Sequence, residues 1–273
     1  MTEIPYRKYH GTGNDFAVVE AGALEENRAR FGAELCGALD ADGVLFLELD
    51  TDPDPSRVDF HLIQPDGSTA EMCGNGARVA ARWARERTGE DIFVLDTPAG
   101  PREARVHEDR VTVEMGRPTF EPARVPIEAR EPVVEESIEG FDVTAVNTGV
   151  PHAVVFLEDV DEIDIDTMAP PIRHHDRFPE GTNVTFAAPD EEVDFRQRTF
   201  ERGVEGETQS CGTGAVAIAA VAGLLDVSEW GSTLAINPPG GILTVTAPED
   251  GEATLSGPTA FEFEDTFTFE PAE

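Results

Sequence analysis

"MCGNGARVAARW", residues 72–83, sets a cysteine directly before a Gly-X-Gly turn and an alanine- and arginine-rich run. The arrangement returns at residues 210–223 as "SCGTGAVAIAAVAG". The small residues after each turn predict helices over 74–88 and 212–224. Gly74, Gly76, Gly212 and Gly214 permit tight turns and let another molecule approach the backbone. A helix that begins there presents unpaired N–H groups and a positive dipole end, which suit a carboxylate or phosphate. A thiol at the same point is acidified by the same field. Each stretch therefore offers anion capture and an activated thiol together.

Outward from these cysteines the two halves of the chain match. "TGNDFAVV" (12–19) aligns with "TGVPHAVV" (148–155) at an offset of 136. The stretch from Asp59 to "EMCGNGA" aligns with that from Asp194 to "QSCGTGA", at an offset of 135 at the start and 138 at the cysteine. The drift is read as an insertion in the second copy around "GVEGE". Two matches in the same order indicate a duplicated domain. Strand-type runs fall at 15–20, 43–49, 58–64, 91–96, 104–107 and 110–115, and again at 142–147, 153–157, 182–188, 193–200, 233–237 and 241–246. Further helices are expected near 26–38 and 161–169. Each half reads as a curled antiparallel β-sheet or barrel around a central helix, an α+β fold with its active site in the cleft between two homologous domains. The expected domains are 1–117, to which 259–273 returns, and 118–258, with "MGRPTFEPARVP" as the crossing.

Composition excludes several functions. The chain of 273 residues carries 55 Asp and Glu against 20 Lys and Arg, a net charge of -35, and Lys8 is its single lysine. Such a surface repels nucleic acid and anionic membranes. The charge is spread along the chain rather than gathered in a tail, as in proteins of salt-accumulating halophiles. No apolar run is long enough for a transmembrane helix, and the N-terminus lacks the pattern of a signal peptide, so a cytoplasmic location is expected. Cys36, Cys73 and Cys211 form no disulfide framework, and no metal-ligand spacing occurs. Cys36, in "FGAELCGALD", is expected in the core.

A single cysteine before a glycine turn is ordinarily a small buried side chain. "GNGARV" and "GTGAVA" also approach a dinucleotide-binding pattern, but no hydrophobic strand precedes either of them. Duplication favours another use. Two related domains facing each other across a pseudo-twofold axis bring two helix N-termini and two thiols to one substrate. Inversion of a stereocentre by proton transfer needs that symmetry: a base on one face and an acid on the other, exchanging roles in reverse. No metal or organic cofactor is needed in principle.

The stretches "HGTGNDF" (10–16), "MCGNGAR" (72–78), "PHAVV" (151–155), "RFPEGTNV" (177–184) and "ERG…GETQSCGTGA" (201–215) together resemble the diaminopimelate epimerase family, over essentially the whole chain. The resemblance implies a cofactor-independent epimerase of lysine biosynthesis that interconverts LL- and meso-2,6-diaminopimelate. It implies Cys73 and Cys211 as the catalytic acid/base pair. Gly74 and Asn75, with Gly212 and Thr213, would hold the reacting carboxylate. Glu201 and Arg202 match the substrate-contacting pair, and Asn14 and Asn183 match substrate-contacting asparagines. His152 and Glu201 match positions that assist the thiols. Gln64 and Val150 stand where the family commonly has asparagine, near the distal end of the substrate, and "ERGVEGET" is one residue longer than usual. The expected partner is the small-molecule substrate, with a homodimer left open. Two rival readings remain: a proline- or hydroxyproline-type racemase or dehydratase on the same scaffold, and a non-catalytic amino-acid-binding protein.

Overall fold

Pairing begins at the N-terminus, where β1 (Thr2–Gly11) turns back into β2 (Asn14–Glu20). Thr12 and Gly13 at the turn both have positive φ, 55° and 80°, the sense that suits the twist of a tight hairpin. Then follow α1 (Arg28–Leu39), β3 (Gly43–Asp50), β4 (Ser56–Ile63), β5 (Thr69–Ala70), α2 (Gly74–Thr88), β6 (Ile92–Thr97), β7 (Gly100–Val106) and β8 (Val111–Gly116). The second half contains β9 (Glu136–Ile138), β10 (Phe141–Asn147), β11 (Pro151–Phe156), α3 (Ile165–Arg173), β12 (Asn183–Pro189), β13 (Phe195–Glu201) and β14 (Gly206–Glu207). It continues with α4 (Gly212–Leu224), β15 (Thr233–Asn237), β16 (Leu243–Thr246) and β17 (Ala253–Gly257), and β18 (Ala260–Phe269) ends the regular structure. This computed structural model describes residues 1–270, so residues 271–273 of the expected returning segment lie outside the described residues.

The chain divides into two units, residues 1–113 with the chain from Ser256 onward, and Glu114–Leu255. The changeovers fall inside β8 and β17. In the first unit β18 pairs antiparallel with β1, from Thr2 opposite Phe269 to His10 opposite Ala260. The order of elements from β1 to β8 is repeated from β10 to β17.

Neither unit is purely antiparallel. β2 pairs parallel with β3 and β4 with β6, and in the second unit β11 pairs parallel with β12 and β13 with β15. Each of these pairs is separated by a helix, α1, α2, α3 or α4 respectively, and a crossover helix returns the chain in the same direction. The strands keep the face alternation expected of them. What periodicity does not disclose is the sense of pairing.

Each sheet is covered on both faces. In the first unit Phe31 and Leu35 of α1 join Ala17, Val19, Val44, Phe46 and Phe269 in one buried cluster. In the second, Ile165, Ala169 and Ile172 of α3 join Val155, Val184, Phe186 and Phe200. Cys36 is buried in the first of these clusters, and burial raises its pKa to about 11. The opposite faces receive α2 and α4. From Gly214 to Gly223 every residue of α4 is buried, which is why that run carries no polar side chain. α2 keeps arginines on its outer side and ends at Gly89, whose φ of 79° no side chain adopts cheaply and whose N–H caps the Arg85 carbonyl.

The registers correct one sequence alignment. In β3 and β4, Leu45 lies opposite Leu62 and Leu47 opposite Phe60; in β12 and β13, Thr185 lies opposite Thr199 and Ala187 opposite Gln197. Phe60 is therefore the counterpart of Gln197, an offset of 137 rather than the 135 read from the shared "DF". A slip of two residues keeps every side chain on its own face, so alternation cannot detect it.

Candidate active site

Cys73 is the N-cap residue of α2, with extended backbone (φ -144°, ψ 114°), and its Sγ accepts a hydrogen bond from Gly76 N–H at 3.4 Å. It is half-buried. Gly74 and Asn75 form the buried first turn behind it. Arg78 is wholly buried, and its Nη2 donates at 2.8 Å both to Asn75 Oδ1 and to Thr12 Oγ1. Asn75 Nδ2 in turn donates to Asn14 Oδ1. Thr12 holds φ 55°, uncommon for a β-branched residue, and the Arg78 bond holds it there. Burial lowers the Arg78 pKa to about 10, with the charge on Cys73 opposing the shift, so a guanidinium cation stands near this sulfur at neutral pH. Gln64, after β4, is committed to the following turn: its N–H bonds Ser68 O at 2.8 Å and its Oε1 accepts from Ser68 Oγ at 3.0 Å.

Cys211 caps α4 with the same extended backbone, but it is only 5% exposed. Its Sγ lies 3.4 Å from Thr213 Oγ1. Burial raises the thiol pKa well above its usual value, Glu201 adds to this, and Thr213 and the Gly214 N–H oppose it. His152, also wholly buried, has Nε2 at 3.0 Å from Thr213 Oγ1 and Nδ1 at 3.0 Å from Thr185 Oγ1. Burial first, and then the charge of Arg202, lowers its pKa to about 3, so the ring is neutral. Asn183 opens β12 beside it, with Nδ2 3.4 Å from His152 Nε2 and Oδ1 accepting from Arg202 N–H at 2.7 Å. Arg202 Nη1 donates to Glu180 O at 3.3 Å, and Glu201 accepts from the Thr208 hydroxyl.

The expected residues thus fall into two groups, one on each unit. Asn14, Gly74 and Asn75 gather at Cys73, while Gly212, Thr213, His152, Asn183, Glu201 and Arg202 gather at Cys211. Three features were not assigned from sequence. Arg78 lies inside a quoted motif, yet nothing in the motif says that its charge is buried. The loop after Glu201 is pinned by Glu205, which accepts from Arg173 Nη2 at 2.7 Å and from Gly203 N–H at 3.0 Å. Arg173 also explains the glycine of "RFPEGTNV", because its Nη1 lies 1.6 Å from where a Cβ on Gly181 would stand. The third is a set of polar residues, Thr185, Gln197 and Thr199, on buried strand faces; polar side chains at inward positions of an alternating strand were the available signal. Among the described residues no group of three or more His, Cys, Asp or Glu is placed to hold a metal ion, and no helix is long and apolar enough to cross a membrane.

The diaminopimelate epimerase family model matches residues 6–121 and 144–261. The chain belongs to the diaminopimelate epimerase family. It is 40% identical to a diaminopimelate epimerase of Methanocella arvoryzae, over 97% of this chain and 96% of that protein. With the diaminopimelate epimerase of Archaeoglobus fulgidus it shares 41% identity over 90% of each chain. The residues between the two matched segments, 122–143, hold β9 and the start of β10. Among solved structures the fold matches a phenazine biosynthesis protein of the PhzF family from Bacillus anthracis, with TM-score 0.72 and 17% identity over 98% of this chain and all 100% of that one. It also matches a hydroxyproline epimerase from Agrobacterium vitis, with TM-score 0.67 and 17% identity over 98% and 91% of the two chains. These distant structures share the two-domain, mixed-sheet architecture with the diaminopimelate epimerase family.

Proposed function

We propose that this chain interconverts LL- and meso-2,6-diaminopimelate by two-base proton transfer at Cα, with Cys73 and Cys211 as the acid/base pair. The observation that carries this reading is the matched placement of the two thiols, each the N-cap of a helix whose first turn is opened by glycine. One sulfur, as thiolate, removes the Cα proton and leaves the electron pair conjugated with the adjacent carboxylate. The other, as thiol, delivers its proton to the opposite face and is left as thiolate. The reverse reaction uses the exchanged roles, and the atoms balance with no further reagent. Each positioned acid or base contributes roughly 10²–10⁴-fold.

The amide groups of Gly74 and Asn75 and of Gly212 and Thr213 suit the reacting carboxylate, whose negative charge grows in the transition state. Glu201 serves the reacting ammonium, while Asn14, Asn183 and Arg202 read the distal end, joined by Gln64 through Nε2, since its Oε1 accepts from Ser68. His152 is neutral and acts through its hydrogen bond to Thr213 rather than by charge.

The deciding assay offers the purified protein LL-diaminopimelate and, separately, trans-4-hydroxy-L-proline and L-proline, and resolves the stereoisomers by chiral chromatography. Meso-diaminopimelate should form and the cyclic amino acids remain unchanged. Inversion of the cyclic amino acids alone would assign the site to the racemase reading, and binding with no inversion of any would assign it to a non-catalytic one.

A further inference from the structure

The strand registers allow the interiors of the two units to be compared position by position. Beneath the first turn of α2, a Cβ on Gly76 would meet Leu45 and Phe60 at 3.4 and 3.5 Å. Leu62 lies opposite Leu45, and Phe16 lies opposite Gly43 on the neighbouring strand. Beneath α4, a Cβ on the counterpart Gly214 would meet Gln197 Nε2 at 2.7 Å, Thr199 Oγ1 at 3.1 Å and Thr185 Oγ1 at 3.2 Å. His152 lies opposite Asn183, the place that Phe16 holds opposite Gly43. Phe16, Leu45, Phe60 and Leu62 are thus replaced by His152, Thr185, Gln197 and Thr199, all of them 2% exposed or less.

These polar groups form one directed chain. Gln197 lies 3.0 Å from the Cys211 carbonyl, which can only accept, so the amide must turn Nε2 towards it. Nε2 also donates to Thr199 Oγ1 at 3.0 Å. The Thr199 hydroxyl proton is then left for Thr185 Oγ1 at 3.2 Å, and the Thr185 proton for His152 Nδ1 at 3.0 Å. A neutral imidazole that accepts at Nδ1 carries its proton on Nε2. It donates that proton to Thr213 Oγ1 at 3.0 Å, which leaves the Thr213 hydroxyl proton for Cys211 Sγ at 3.4 Å. Asn183 Nδ2, 3.4 Å from Nε2, offers the ring the opposite tautomer at the longer contact. The arrangement is costly, since Gln197 Oε1 is buried with no hydrogen-bond partner. The apolar residues at the same places in the first unit show that the scaffold does not require a polar layer, and rules of this kind are broken chiefly at functional sites.

We propose that Gln197, Thr199 and Thr185 are positioning residues that hold His152 in its Nε2–H form and thereby aim the Thr213 hydroxyl at the Cys211 sulfur. This rests on the two-thiol reading above. Each sulfur has a backbone donor in its helix's first turn, Gly76 N–H for Cys73 and Gly214 N–H for Cys211, and Cys211 has in addition one held through five side chains. The charged and titratable groups facing Cys211 and its histidine are Glu201 and Arg202 at the end of β13 and His152 of β11. Burial and then Glu201 oppose the thiolate, and the Thr213 hydroxyl and the Gly214 N–H are the counterweights.

The test measures iodoacetamide alkylation of Cys211 against pH, resolved from Cys73 and Cys36 by peptide mass mapping, in the wild type, Thr185→Val, Thr185→Ser and Gln197→Leu. Thr185→Val should raise the Cys211 midpoint by about one pH unit, the scale of one lost hydrogen bond to a charged group. Thr185→Ser should restore it, and the Cys73 midpoint should stay in place. Gln197→Leu should move Cys211 in the same direction by less, and it carries the test if Thr185→Val does not fold. The pH profile of epimerisation should follow the Cys211 midpoint. A fall in melting temperature with the Cys211 midpoint unmoved, or an equal shift at both thiols, overturns the proposal. Alkylation reads the sulfur itself, so a protein that alkylates as expected but does not epimerise diaminopimelate contradicts the functional reading instead.

Discussion

At Cys73 the sulfur is half-buried, accepts from Gly76 N–H and lies near the buried Arg78 cation. At Cys211 it is buried and faces Glu201, and its pKa is raised. A raised pKa keeps the thiol protonated through neutral pH and admits the thiolate only as pH rises. Iodoacetamide at pH 7 should therefore modify Cys73 faster than Cys211. Peptide mapping should show the gap narrowing with pH; preferential labelling of Cys211 at neutral pH would reverse this assignment. Arg78 supplies a second prediction. It donates to Asn75, which donates to Asn14, so it fixes which way the Asn14 amide is turned. Arg78→Met takes the donor away from the buried Asn75 Oδ1 and Thr12 Oγ1, so it should lower stability by about 1–3 kcal/mol. It should also raise KM about tenfold, a loss of about 1.4 kcal/mol in binding, with kcat altered less. Steady-state kinetics decide this, and an unchanged KM would make Arg78 merely structural. The cysteines and their neighbours were legible because motifs preserve local spacing. Arg78, Thr185, Gln197 and Thr199 were not, because their meaning lies in partners far along the chain.

Helices α2 and α4 occupy the residues that the sequence predicts, 74–88 and 212–224, since glycine turns and small-residue runs mark both of their ends. β1 escaped notice: "TEIPYRKYHG" contains Pro5, Arg7 and Lys8, yet Lys8 is only 4% exposed and paired with Asp15 and Glu262. A buried lysine with half-exposed carboxylate partners hides the apolar alternation that periodicity seeks. β9, with 3 residues, is too short to present a period. The same glycine serves its helix differently in the two units. At Gly76 an added Cβ would meet its nearest neighbour, Leu45, at 3.4 Å, an ordinary contact; at Gly214 it would fall 2.7 Å from Gln197 Nε2. Gly76→Ala should change stability by no more than about 0.5–1 kcal/mol, the helix-propensity scale. Gly214→Ala should cost about 2 kcal/mol, and lower the melting temperature by roughly 5 °C, as it overpacks the polar layer. Thermal melts of the two variants settle the contrast, and equal effects would show that the two layers yield alike.

Across the whole molecule the duplication was legible, but its register was two residues out in β13, and the parallel crossovers awaited the structure. Composition also acts at this scale. Ion pairs such as Arg196–Asp161 and Arg198–Glu207 engage the arginines, yet 20 basic residues cannot offset 55 acidic ones, and the net charge is -35. Exposed pairs contribute little, while self-repulsion opposes the compact state. The screening length falls from about 30 Å at 0.01 M salt to about 3 Å at 1 M, so the melting temperature should climb across that range in KCl. A melting temperature independent of salt would reject the halophile reading of the composition. The central claim is that the proton removed and the proton delivered belong to different cysteines. It is tested most directly by following deuterium uptake from heavy water at Cα of each isomer in Cys73→Ala and Cys211→Ala. The account predicts that epimerisation nearly vanishes in both variants and in both directions, while each still exchanges the α-proton of one isomer, and the two favour opposite isomers. Substantial epimerisation by either variant, or exchange of the same isomer by both, would contradict it.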